Sequence, residues 1–173
     1  MIRKILLYGE PVLETPAAAV EESEFGSDEL QTLVDDLFQT MYENKGVGLA
    51  APQVGVSKRL FVVDCSVGEN PAERMVLINP EIIAQEGRQT GEEGCLSIPG
   101  FREDVTRARV VRARARKADG EPFEICVEEL PARAVLHEND HLDGILFLKY
   151  LSPLKRSLIK RKIKNLKKKG EWN

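Results

Sequence analysis

Through residues 110–128 apolar and charged side chains alternate with a period of two. Val111, Ala113 and Ala115 interleave with Arg112, Arg114 and Arg116, and Phe123, Ile125 and Val127 interleave with Glu124, Cys126 and Glu128. That period belongs to extended chain with one face turned inward, so the segment predicts a hairpin with a single apolar face. Parity selects its turn. A two-residue Asp119-Gly120 loop would oppose Arg114 to Ile125 and set charges on the apolar face. A three-residue Ala118-Asp119-Gly120 loop with Gly120 left-handed instead opposes Ala113 to Ile125 and Arg114 to Glu124, and is the one expected.

Other elements frame this hairpin. Ser27 is a good N-cap with Asp28 and Glu29 behind it, and Leu30, Leu33, Val34, Leu37, Phe38 and Met41 then recur at helical spacing until Gly46, the expected stop. Short β-like runs come next at 60–64, 75–79 and 82–85, with turns expected near Pro71 and Pro80. A second helix is predicted from near Pro131 to Gly144. A third begins after Pro153 and carries Leu154, Leu158, Ile159, Ile163 and Leu166 as a stripe among basic residues, with Leu158 and Ile163 expected inward.

A length of 173 residues with 42% hydrophobic content suits one packed domain with a short appendage. The expected division is a single catalytic domain over 1–150 and a basic helical tail over 151–173. That tail holds seven Lys and two Arg against one Glu in a chain whose net charge is −3, so an acidic body carries a basic end suited to a polyanion such as RNA. The apolar stretch at the N-terminus is too short for a signal or a membrane span, and three widely spaced cysteines do not make a disulfide framework. A cytoplasmic protein with no membrane contact is the expectation.

The chemistry concentrates at His137-Glu138-Asn139-Asp140-His141, a His-Glu-x-x-His pattern holding the chain's only two histidines. Four-residue spacing puts both imidazoles on one helix face, able to grip one ion, and Glu138 beside the first can reach an activated water without being a ligand. A catalytic site of this kind takes a third protein ligand and keeps one position open. Cys95, in the glycine-flanked run Gly91-Glu92-Glu93-Gly94-Cys95-Leu96-Ser97, is the best candidate. Cys65 and Cys126 sit within strand-like runs and read as buried apolar residues. The residues alone therefore point to a metal-dependent hydrolase.

The small, Pro- and Gly-broken run Gly46-Val47-Gly48-Leu49-Ala50-Ala51-Pro52-Gln53-Val54-Gly55 reads as a tightly approached buried loop, either a structural turn or the lining of a cleft. It formally matches a dinucleotide fingerprint. The context rejects that reading: a helix precedes the glycines where a strand is needed, and Pro52 and Gly55 break the helix that should come after them.

Taken together, GVGLAAPQVG from Gly46, EGCLS from Glu93 and HENDH from His137 resemble, in order and spacing, the three signature motifs of the peptide deformylases. The resemblance extends over about residues 1–155. It departs at Leu136, where many members have Gln, and at Pro52, where others have Thr. It implies an α+β fold with antiparallel β-sheets surrounding a central metal-binding helix, an N-terminal helix and a C-terminal amphipathic basic helix. It implies removal of the formyl group from N-formylmethionyl nascent polypeptides by a monomer. Cys95, His137 and His141 would be the metal ligands, Glu138 the acid/base, and Gln53 with the Leu96 N–H the oxyanion donors. Val47 and Gly48 would pair with the substrate backbone, and Val47, Arg102, Leu130 and Ala134 would shape the methionine pocket. Fe(2+) is the metal so implied, although the ligand types also suit Zn(2+), Ni(2+) or Co(2+). Two other readings compete: a metalloprotease sharing the His-Glu-x-x-His pattern, and a noncatalytic ribosome-associated module using the basic tail on ribosomal RNA.

Overall fold

A computed structural model of the chain describes residues 1–173. Its main elements are α1 (Asp28–Glu43), β1 (Gly48–Ala50), β2 (Leu60–Val63), β3 (Met75–Glu86), β4 (Gln89–Cys95), β5 (Ile98–Arg107), β6 (Val110–Arg116), β7 (Pro122–Glu128), α2 (Leu130–Leu142) and α3 (Pro153–Lys168). Five strands form one antiparallel sheet in the order β1-β2-β3-β6-β7, and β4 pairs with β5 in a second, two-stranded sheet. The class is α+β, as the sequence implies.

The sheet is covered on both faces, which explains why β2 is buried at every position. Its alternate residues serve two cores. Leu60 and Val62 join Leu49 and Ile78 against Leu33, Leu37 and Met41 of α1, while Phe61 and Val63 join Leu77, Val111 and Ala113 against Ala132 and Val135 of α2. A third core lies beneath β5, where Ile98 and Val105 meet Phe147, Leu148 and, from α3, Ile159 and Ile163. Burying a side chain of this size contributes roughly 1.5–3 kcal/mol, so both faces of β2 anchor the sheet strongly.

The β6–β7 hairpin has the expected register, with Ala113 opposite Ile125 and Arg114 opposite Glu124. Lys117 N–H donates to Glu121 O at 2.9 Å to close the three-residue loop, and Gly120 is left-handed at φ 93°. Ser27 caps α1 by accepting from Leu30 N–H.

Elsewhere the structure corrects the expectation. Pro80 does not separate two strands: β3 runs continuously from Met75 to Glu86, and the missing N–H falls at a register shift between Ile78 and Glu81. Asn79 takes the left-handed conformation there, and its side chain bonds both backbone groups of Val20, at 2.8 and 2.9 Å. The left-handed residue ending α1 is Lys45 rather than Gly46, although Gly46 N–H closes the end onto Met41 O. Leu158 is 43% exposed and not inward, since Ile159 and Ile163 take the buried positions of α3. Cys126 is exposed because it lies on the charged face of β7, and Cys65 is only partly buried.

Gly144 ends α2 at φ 72°, and a Cβ there would lie 2.8 Å from the Glu14 carbonyl carbon and 2.9 Å from its oxygen. Both obstacles are backbone, so neither can step aside. Gly144→Ala should therefore lose more than the ~1–2 kcal/mol of left-handed strain alone. A urea-unfolding midpoint within error of the parent protein would contradict this.

Candidate metal centre and cleft

α2 turns His137 and His141 into the interior on one face, and the end of β4 brings Cys95 to meet them. The two imidazole Nε2 atoms lie 3.2 Å apart, and Cys95 Sγ lies 3.4 Å from that of His141. The three donor atoms all fall within 4.8 Å of one another. A tetrahedral ion with metal–nitrogen bonds near 2.0 Å and a metal–sulfur bond near 2.3 Å would set its ligands about 3.3–3.6 Å apart. The donor set thus fits a single ion with a position left open. Burial, with the repulsion of His137 and Arg107, holds His141 well below the ordinary imidazole pKa.

His137 is oriented from behind. Its Nδ1 lies 2.5 Å from Glu93 Oε1, which aims Nε2 at the other donors. Glu93 accepts from Arg107 Nη2 at 2.5 Å and Nε at 2.9 Å, and from Arg133 Nη1 at 2.8 Å. Arg107 also donates to Asp140 Oδ2 at 2.9 Å, and Tyr150 O–H donates to the same oxygen at 2.7 Å. Burial opposes the charge of Glu93, but Arg107 and His137 outweigh it and hold the carboxyl far below its usual range. Burial also opposes a proton on His137, yet Cys95 and Glu93 beside it raise its pKa well above the ordinary value.

Sequence reasoning missed this support. Glu93 falls inside the EGCLS motif, where the pattern gives it no role. Arg133 lies four residues before His137, hence on the same helix face, and Arg107 shares the inward parity of Val105 on β5. Those two spacings were the available signal.

Glu138 is 4% exposed, and its Oε2 has no hydrogen-bond partner. Burial raises its pKa to about 7, helped by Glu93 and Asp140 and opposed by His137 and Arg107. Its carboxylate rests against Gly48, where a Cβ would lie 2.6 Å from Oε1 and 2.8 Å from Cγ. Gly48 therefore has to be glycine for Glu138 to sit where it does.

Gln53 comes from a turn of 3-10 helix, Ala51–Val54, and is 1% exposed. Ala50 N–H donates to its Oε1 at 2.9 Å, which points Nε2 at Ser97 Oγ, 3.1 Å away, and at Cys95 Sγ, 3.6 Å away. Leu96 occupies the tight turn between β4 and β5, and its N–H has no backbone acceptor. A cleft of about 890 Å³ opens in front of these groups. Its lining brings together Cys95, His137, Glu138, Gln53 and Leu96 with Val47, Gly48, Arg102, Leu130 and Ala134. Every expected site residue faces this cleft except His141, which lies behind it. Arg102 and Leu130 sit on the exposed rim, with Arg102 paired to Glu92.

The sequence model of polypeptide deformylases matches residues 2–157. The chain belongs to that family. A peptide deformylase from Acidobacterium capsulatum is 57% identical over 172 residues, spanning 99% of both chains. The crystal structure of a peptide deformylase from Legionella pneumophila superposes with a TM-score of 0.89 at 46% identity, covering 97% of this chain and 96% of that one. A Met-Ala-Ser-bound class I type b peptide deformylase from Acinetobacter baumannii gives 0.82 at 39% identity, over 87% and 99% of the two chains. The chain is thus an enzyme of the deformylase class, and the metalloprotease reading finds no support among these relatives.

If Glu93 orients His137, Glu93→Gln should weaken metal retention about 10–100-fold. It should also cost about 3 kcal/mol, because Arg107 and Arg133 are left facing a neutral group in the interior. Metal content after dialysis against a graded chelator, read alongside a urea melt, checks both; unchanged retention would remove Glu93 from this role.

Proposed function

We propose that this chain hydrolyses the formyl group from the N-terminal formylmethionine of nascent polypeptides at a metal held by Cys95, His137 and His141. The observation that carries the reading is the buried Glu138 carboxylate, with one oxygen unpartnered, between that donor cluster and the free edge of β1. A carboxylate kept dry with its pKa near 7 suits proton transfer in both directions near neutral pH. Fe(2+) is the proposed metal, on family resemblance. The same donors accept Zn(2+), Ni(2+) or Co(2+).

The peptide would bind as an added strand. β1 is an edge strand whose pairing to β2 is antiparallel, and Asp64 N–H bonds Val47 O across it. Alternation then turns the N–H and C=O of Gly48 away from β2, toward the cleft. Val47, Leu130 and Ala134 supply apolar wall for a methionine side chain, and Arg102 closes the rim.

When bound, the ion polarises the formyl carbonyl and lowers the pKa of the attacking water. Glu138 Oε2 takes the proton of that water and afterwards gives it to the departing amine. The Leu96 N–H donates to the oxyanion, and Gln53 Nε2 joins it by giving up its long contact to Cys95 Sγ. One such donor is worth about 3 kcal/mol of barrier. Formyl carries only hydrogen on its carbon, so a site this enclosed rejects larger acyl groups by steric exclusion.

Glu138→Gln should keep its metal and lose formate release from formyl-Met peptides by about 100-fold or more, the usual contribution of a general base. Gly48→Ala should act in the same direction by displacing the carboxylate. Acetyl-Met peptides should not be cleaved by the parent enzyme. Near-normal turnover by Glu138→Gln would end this mechanism.

The outward residues of α3, among them Lys160, Lys164 and Lys168, form an exposed basic face that we assign to ribosomal RNA. The enzyme works as a monomer in this reading, since one chain supplies the whole cleft. Changing those three lysines to Glu should abolish salt-sensitive co-sedimentation with ribosomes while formate release persists. Unaltered co-sedimentation would rule the RNA contact out.

A further inference from the structure

The segment after α3 doubles back onto the cleft. Trp172 packs on Phe101 with ring centroids 6.3 Å apart, within the range at which tilted aromatic pairs attract. Its Nε1–H donates to Tyr8 O at 3.0 Å. Tyr8 N–H in turn donates at 2.8 Å to the carbonyl of Ser97, in the turn between Cys95 and Ile98. The end of α3 adds a second hold, where Lys167 crosses Gly9 and its ammonium lies 5.8 Å from the Tyr8 ring centroid. Phe101 itself lines the cleft, directly after the left-handed Gly100.

We infer that Trp172 is a specificity-determining positioning residue: it fixes Phe101 as the outer wall of the cleft and so sets the preference for apolar side chains in the residues after the substrate methionine. The inference rests on the proposed deformylase reading of this cleft. The mechanics are simple. Phe101 follows the left-handed Gly100 within β5 and is only partly buried against the third core, so the setting of its ring depends on what packs beside it. Trp172, tied to Tyr8 O, is that neighbour. The Phe101 ring is not one of the donor groups and lines the cleft beside them, so the effect belongs to binding of the peptide's later residues rather than to hydrolysis.

Trp172 is the chain's only tryptophan, so its emission reports on this contact alone. Binding of Met-Leu-Leu, the product of an apolar substrate, should shift or quench that emission, and Phe101→Ala should abolish the response. With formyl-Met-Leu-Leu and formyl-Met-Ala-Ala, Trp172→Ala should reduce the preference for the leucine peptide about 3–10-fold, the worth of one aromatic pair. The change should fall on KM rather than kcat. Trp172→Phe keeps a ring on Phe101 and should restore much of the preference. A thermal melt of each variant identifies any that fail to fold, and the emission response of the unaltered protein does not depend on them. Formate release with an unchanged preference in Trp172→Ala and a silent emission would overturn the inference. No formate from either peptide would instead overturn the deformylase reading beneath it.

Discussion

Four groups converge on the carboxylate of Glu93: Arg107 twice, Arg133 once and the Nδ1 of His137. Such a cluster is not a large source of stability, because the attraction it gains is set against the cost of taking its charges out of water. Its value is geometric. Glu93 belongs to β4, Arg107 to β5, and Arg133 and His137 to α2, so the cluster fastens the two-stranded sheet to the helix that carries both histidines. Asp140, about a turn further along α2, and Tyr150 extend it. If the cluster shifted, Cys95, two residues beyond Glu93, would leave the histidines.

The five-stranded sheet supplies the other half of the site by a different principle. β2 is buried on both faces, which fixes its register against β1 and β3. The register of β1 then presents Gly48 to the cleft and its contact to Glu138. An extended N-terminal strap joins the halves, since Leu6 N–H bonds Gln53 O and Tyr8 N–H bonds Ser97 O. Two residues of one short segment therefore hold both loops that bring Gln53 and Leu96 to the cleft.

Much of this was legible in the chain because it obeyed local rules. Parity chose the β6–β7 loop, a capping serine started α1, and helical spacing paired the histidines. What escaped was tertiary. The β4–β5 pair has little apolar alternation, since glycines and charged residues dominate it, and β4 takes its place from Glu93 pairing with α2. Pro80 reads as a break in any local account, yet β3 runs through it at a register shift, where the Asn79 side chain bonds both backbone groups of Val20 outside the sheet. Leu158 and Ile159 are equally apolar neighbours, and only the placing of α3 on the third core, with Leu13, Ile98 and Leu148, decides which is buried.

Glu138 shows how far the site depends on an absence. A buried carboxylate with no partner is costly, and a side chain at position 48 would push it out of place. The glycine lets backbone rather than side chain form the wall behind Glu138. It also leaves a bare edge strand beside the carboxylate, with nothing projecting over the N–H and C=O that a peptide would pair with. One missing Cβ thus sets the position of Glu138 and leaves the strand edge beside it bare. Gly46 repeats the device two residues earlier, where the Leu96 side chain occupies the space a Cβ would need. The glycine-rich loop that resembled a nucleotide fingerprint owes its composition to these two close approaches.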